Sequence, residues 1–356
     1  SVDRRSGFLP PSFSNSKNLG SAFTVPYYFA IDKDKDFTLN SKFYASENPL
    51  FAGEYRQAFE NSNLILDFGY TEGYKKTTVK KKSGEKHHFF SQFVKNFKNK
   101  SGAKSSLRFN IEDVSNDKYL ELYKIQTDLI DYNEDILESS LTLDYEKENV
   151  FFRVNTSVYE NLKDSYNDKY EFIFPEITYD NNLFSNDNYG NMDLQTNFKI
   201  HNYDTNKTTK FLVNDFNWDV KSINFDSGLK GKLLASFKNV NYETKNVSVY
   251  KEDKTSEFFS AFGYLTEVDL FKRISDQSFQ KITPKMLFRY APGSMSRKED
   301  EGTTLDSLSV FSLDRLNNIN QMETGLSASF GFDYELNNFG KQFNLSVGQI
   351  INEKEN

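Results

Sequence analysis

The 356-residue chain has no cysteine, a single Trp, three His and only seven Pro. Without cysteine there can be no disulfide, thiolate nucleophile or Cys-ligated zinc within these residues. No run of about 18 apolar residues occurs, which excludes a transmembrane helix. Basic charge is not in excess: 44 Lys and Arg stand against 51 Asp and Glu, so no global positive field could hold nucleic acid. The GxSxG, Walker and HExxH signatures are missing, and the many carboxylates fall in no catalytic spacing. Neither enzyme chemistry nor a cofactor is expected. The chain starts at Ser1 with no initiator Met and no apolar leader, so it reads as a segment of a longer polypeptide.

What is abundant is aromatic. There are 35 Phe and 21 Tyr, yet mean hydropathy is −0.68. So much Phe calls for a large dry surface, and so polar a chain cannot enclose one. Strands with one apolar and one wet face satisfy both demands. The alternation is explicit. Leu64, Leu66, Phe68 and Tyr70 fall on one face against Asp67 and Gly69. Leu107, Phe109 and Ile111 oppose Arg108, Asn110 and Glu112, and Leu141, Leu143 and Tyr145 oppose Thr142, Asp144 and Glu146. Near the end, Met322, Leu326, Phe330, Phe332 and Tyr334 oppose Glu323, Ser327, Ser329, Asp333 and Glu335, with Gly325, Gly331 and Gly348 assigned to the polar side. Strands of about 9–11 residues cross a bilayer when tilted. The pattern predicts an all-β fold: a transmembrane antiparallel β-barrel domain over 1–356, with about 15–17 strands of a larger barrel. Short connections (32–36, 60–63, 99–102) alternate with long ones (71–86, 113–135, 291–308), as barrel turns and loops do.

Smaller motifs carry less. "DKDKDF" from Asp32 opens like a calcium loop, but Phe37 and Phe43 occupy its glycine and glutamate positions, so a solvated turn is expected. His87 and His88 point to opposite faces of any strand and cannot chelate together; no metal site is expected. Tyr27, Tyr28, Tyr55, Tyr70 and Tyr179 suit interfacial girdles. Lys80, Lys81 and Lys82 lie in the one basic cluster, either a solvated loop or a contact for anionic headgroups.

Three of the seven prolines fall in the first 26 residues, within "SGFLPPSF" and "VPYY". A strand normally excludes proline except at an edge, because proline gives the ladder no N–H. The stretch "DRRSGFLPPSF", followed by "VPYYFAIDKDKDFTL" and "GEYR", resembles the start of the barrel domain of the LptD family of lipopolysaccharide-assembly outer-membrane proteins. Near the end, "ITPKMLFRYAPG", "FSLDRLNNINQMETG" and "FNLSVGQI" resemble three further family segments in the same order. The middle keeps only the strand pattern, and Asn318, Asn320 and Gln321 stand where the family often has Gly, Asp and Arg.

The resemblance implies transport of lipopolysaccharide into the outer leaflet of a Gram-negative outer membrane through a lateral gate. Pro11 and Pro26 match the family's gate prolines, Pro10 is additional, and Phe8 and Phe29 are implied contacts beside the gate. Implied partners are lipopolysaccharide, an LptE-like lipoprotein plug and the periplasmic Lpt bridge proteins. The family's jellyroll domain and closing strands are expected outside these residues. From the strand pattern alone, a passive porin-like channel is the alternative.

Overall fold

The structure, a computed structural model, describes residues 4–98, 102–164, 168–275, 277–296, 309–316 and 318–353. Most of the long connection expected at 291–308, and residues 99–101 of one expected turn, lie outside them. Twenty strand segments share one sheet. They are β1 (Gly7–Phe8), β2 (Ser12–Ser16), β3 (Gly20–Ala30), β4 (Lys35–Tyr44), β5 (Leu50–Ala58), β6 (Ser62–Gly73), β7 (Ser83–Lys98), β8 (Lys104–Val114), β9 (Ile136–Lys147) and β10 (Val150–Asn161). There follow β11 (Tyr170–Asn186), β12 (Gly190–Tyr203), β13 (Lys207–Asp219), β14 (Ile223–Asn224), β15 (Leu229–Lys245), β16 (Thr255–Val268), β17 (Leu270–Ser275), β18 (Ser278–Ser296), β19 (Thr324–Asn338) and β20 (Lys341–Asn352). The pairs β1 and β2, β13 and β14, and β16 and β17 are each one interrupted strand, because both members pair with the same neighbour. Counting each pair once leaves seventeen strands from the twenty, the upper end of the expectation. Among the described residues no helix is long and apolar enough to cross a membrane.

The chain divides into two units. The first comprises Ser1–Glu148, Phe152–Glu176 and Ile200–Thr208; the second comprises Asn149–Phe151, Ile177–Lys199 and Thr209–Asn356.

In the first unit β3 to β9 pair in succession, each antiparallel to the last. Register confirms the alternation. Phe37 pairs with Tyr55 and Tyr55 with Leu66, forming a row on one face. On the other, Asp36 pairs with Arg56 and Gly69 with His88. Phe68, Tyr70, Phe89, Phe109, Leu141 and Leu143 are all exposed on the apolar face. Tyr27, Tyr55 and Tyr70 lie there too, but Tyr28 alternates to the polar face, since it pairs with Thr38 beside Asp36. The first, third, fifth and seventh connections (17–19, 45–49, 74–82, 115–135) share one end of the antiparallel strands. The second and fourth (31–34, 59–61) turn at the other end. The supposed calcium loop is one of these turns, closed by the Asp32 N–H donating to the Lys35 carbonyl at 3.0 Å.

In the second unit β15, β16, β18, β19 and β20 pair in order. The β19–β20 hairpin turns through Phe339 (φ 48°) and Gly340 (φ 79°). Positive φ at both central residues is the turn whose twist suits a hairpin. Leu326, Phe330, Phe288 and Tyr290 are exposed on one face, and Ser327, Ser329 and Arg289 are buried on the other. The sequence alternation is corrected at its start. Met322 and Glu323 precede β19, both are buried, and Met322 packs with Ala261, Ala291 and Leu313.

Candidate functional site

The opening motif assembles at the edge of the first unit. Arg4 reaches Asp36 at 3.0 Å, and the Ser6 hydroxyl accepts the Ala30 N–H at 2.9 Å, tying the start of the chain to β3 and β4. Gly7 and Phe8 pair with Tyr28 and Tyr27, and from Ser12 onward the strand pairs with Thr24 and its predecessors. Continuing the first register sets Leu9 opposite Pro26; continuing the second sets Pro10 there. One residue is therefore extra on the first strand, a β-bulge. Pro10, Pro11 and Pro26 converge on it. One hydrogen bond crosses it, from the Leu9 N–H to the Pro26 carbonyl at 3.0 Å.

In an antiparallel ladder a residue's N–H and C=O point to the same side. Because the Pro26 carbonyl faces the first strand, its missing N–H would face it too. Pro26 therefore loosens the grip of β3 on β1 and β2 and leaves the β3–β4 ladder intact. Phe8 and Phe29 flank Tyr27 on the apolar face, at 4.8 and 4.5 Å between ring centroids. Phe8, Leu9, Phe13 and Phe29 are all exposed.

The basic loop splits in two. Lys81 turns back into the protein: its Nζ donates to the Asn18 carbonyl at 2.8 Å and lies 4.8 Å from the Tyr74 ring centroid. Lys80 and Lys82 are exposed, as are Lys75 and Lys76. An anionic group would meet these four before Lys81.

Sequence reasoning missed that two long connections fold onto the polar faces. In the first unit, connection 115–135 carries the helix α1 (Tyr119–Tyr123). Its Tyr119, Leu120, Tyr123, Ile125 and Ile130 form a buried core with Phe90, Val114 and Leu137. The signal was present as the apolar spacing of "YLELY" within a stretch assigned to a loop. Burial raises the phenols of both helix tyrosines, with Tyr123 pushed up to about 12. The Tyr119 hydroxyl and His88 Nδ1 share a hydrogen bond of 3.0 Å, and His88 Nε2 lies 2.7 Å from the Asp67 carboxylate. Gly69 makes room, since a β-carbon there would run into the His88 ring.

In the second unit the same is done with charge. The stretch 309–323 begins with a 3₁₀ turn, Ser309–Phe311. Buried Arg289 donates to the carbonyls of Leu313 (2.7 Å) and Glu323. Arg315 donates to the Glu323 carboxylate at 2.9 Å and the Ser327 hydroxyl at 2.8 Å. Lys238 places its ammonium on Asp314 (2.6 Å) and on the carbonyls of Asn318 (2.6 Å) and Gln321 (3.1 Å). Two of the positions where the family pattern is broken, Asn318 and Gln321, thus meet Lys238 through main-chain oxygens. Asn320 donates its N–H to the Asn318 side chain at 2.8 Å. Glycines form the sockets: a β-carbon at Gly263 would lie 2.6 Å from Leu313, and one at Gly348 2.8 Å from Val310. The three motif segments near the chain end thus meet around one in-folded loop. Beside it lies a cavity of about 490 Å³ edged by Asp215, Lys232, Lys238 and Asp314.

Comparison with known proteins agrees with this assembly. A family model described as "LptD: LPS transport system D" matches residues 88–356, so the opening proline motif lies before the match. The LPS-assembly protein LptD of Pseudomonas entomophila is 28% identical over 187 residues, 51% of this chain and 19% of that protein. Its namesake in Pseudomonas aeruginosa is 24% identical over 235 residues, 65% of this chain and 24% of that protein. That of Methylococcus capsulatus is 43% identical over 63 residues, 18% of this chain and 6% of that protein. The chain spans at most about a quarter of the length of these relatives. With well over half of its residues matched, including every segment that builds the charged loop site, the chain belongs to the LptD family.

Proposed function

We propose that this chain is the barrel portion of an outer-membrane transporter that delivers lipopolysaccharide into the outer leaflet, the acyl chains leaving sideways past the first strand. The observation that carries the reading is the proline bulge. In a chain of this family, three prolines gather where the first strand is held to the second, and one hydrogen bond spans the gap. In lipid a backbone carbonyl without a donor is costly, so such a strand is the natural one to part. Apolar rings at Phe8 and Phe29 then line the opening, with their faces toward the bilayer. The polar faces line the lumen. An LptE-like lipoprotein within the lumen and the periplasmic Lpt proteins below it complete the path. Among the described residues no feature favours a passive channel.

The test is the double substitution Pro11→Ala and Pro26→Ala in the full-length protein. It supplies one N–H donor toward the first strand at residue 26 and one toward that strand's outer edge at residue 11, worth about 1–3 kcal/mol together. The closed seam should then open about 5- to 150-fold less often. Assembly and lipoprotein co-purification should survive, while crosslinking of lipopolysaccharide to a photoreactive residue at Phe8 or Phe29 should fall. Normal delivery by a correctly assembled double mutant would reject the gate.

A further inference from the structure

A second cavity in the second unit, about 440 Å³, shares the end of the in-folded loop but none of that loop's charged side chains. It lies where β15 and β16 end their ladder at Tyr242 and Thr255, beside connection 246–254 and the stretch 320–324. Three of its five aromatic lining residues pack together. Tyr250 stands edge-to-face to Phe211 (5.1 Å, 72°) and to Tyr242 (5.5 Å, 62°). With Phe211 and Tyr242 also 5.5 Å apart, the three rings pack on one another and form a single aromatic wall of the cavity. Glu257 projects into the same cavity, and its carboxylate accepts the Tyr242 hydroxyl at 3.3 Å. Among the described residues no Lys, Arg or His forms an ion pair with it. The half-buried Asn320 and Gln321 complete the lining.

Each element has a chemical counterpart. An aromatic wall attracts a cation through its ring faces, and it also packs against the C–H face of a pyranose. A carboxylate with no cation of its own selects an ammonium group. Two side-chain amides supply the donors and acceptors that hydroxyl groups need. An apolar pocket with a few convergent polar groups is the usual form of a small-ligand site. We propose that this cavity is a subsite for an amino sugar, its ring against Tyr250 and Tyr242 and its ammonium on Glu257. The inference rests on the transport reading only for the source of such a sugar, the saccharide of the glycolipid in transit.

The test uses the full-length protein in detergent, with a glucosamine trisaccharide and its fully N-acetylated counterpart as probes, followed by calorimetry. The amine form should bind saturably and at least tenfold more tightly than the acetylated form. Glu257→Gln, which keeps the shape and removes the charge, should bring the two to equal affinity, and Tyr250→Ala should weaken both. Heat-modifiable gel migration checks that each variant is folded. Displacement of the bound trisaccharide by purified lipopolysaccharide would assign the site to lipid-linked sugar, and its absence to free saccharide. No saturable binding, or a preference for the amine that Glu257→Gln leaves untouched, would overturn the subsite. Lipopolysaccharide delivery measured alongside separates the two ideas, since normal delivery without sugar binding rejects the subsite alone.

Discussion

Lys238 offers the sharpest test of the in-folded loop in the second unit. Its side chain is 3% exposed, and its three ammonium protons have three acceptors within 3.1 Å. Asp215 lies 3.8 Å away. Lys238→Met keeps the stem and removes the charge. Asp314, Asp215 and two carbonyls then lose their donor together. Truncating one member of a buried ion pair costs about 3–5 kcal/mol. Asp314 retains 23% side-chain exposure, so water recovers part of the loss. We expect about 3 kcal/mol, borne mostly by the contact between the loop and the sheet. At 1.4 kcal/mol per factor of ten, the released loop should become roughly 150-fold more populated.

Two measurements read this out: equilibrium unfolding in a reversible lipid system, and protease cleavage within 309–323 under conditions where the strands stay folded. The double variant Lys238→Met and Asp314→Leu removes the stranded carboxylate as well. It should recover at least 1 kcal/mol relative to the sum of the single changes, the signature of direct coupling. A Lys238→Met protein that loses under 1 kcal/mol and keeps a protease-resistant loop would show that the ammonium clamps nothing.

Three further outcomes follow from the faces and the connections. Phe109→Arg should cost about 2–4 kcal/mol if the apolar face meets lipid near the midplane, and Asn110→Arg little; equal defects in lipid refolding would refute the register. Gly69→Ala should cost about 1–3 kcal/mol by forcing the His88 ring to move, and His88→Ala in the same protein should relieve part of that loss. If the end that carries connections 17–19, 45–49, 74–82 and 115–135 faces outward, an epitope inserted at Ser83 should be reached by antibody on intact cells, and labelling only after the outer membrane is broken would place that end inward.

The apolar faces were readable because period two is a local property. Phe109 needs only its neighbours Arg108 and Asn110 to declare its side. The polar faces were not, because what covers them comes from far along the chain. "NDKYLELYKIQ" looks like loop when the strands around it are counted, and it packs only because Phe90 and Leu137 are presented by β7 and β9. Lys238 and Lys80 are equally basic on paper. One is buried because Asp314, 76 residues on, comes back to meet it, and the other is exposed because nothing does. Gly348 was legible as a small residue on a polar face but not as a socket for Val310, and Gly263, the socket for Leu313, carried no such signal.

The prolines show the same limit in a more exact form. That Pro10, Pro11 and Pro26 disturb strand pairing follows from their chemistry alone. Which pairing they disturb depends on the side of β3 to which residue 26 turns its main-chain groups, and that parity is set by register with a partner. In this fold the parity turns Pro26 toward the first strand, onto the same bulge as Pro10 and Pro11. Had it turned the other way, Pro26 would have weakened the β3–β4 pair and left two strands loosely held instead of one. The distinction bears on mechanism. Pro10 and Pro26 both remove donors from the junction of the first strand with β3, Pro11 turns its ring nitrogen to the strand's outer edge, and Arg4 on Asp36 and the Ser6 hydroxyl under Ala30 keep the start anchored. The strand is therefore held on both sides of its bulge, by Arg4 and Ser6 before it and by the Ser12–Ser16 ladder after it, so the bulge is the point at which the proposed gate would hinge.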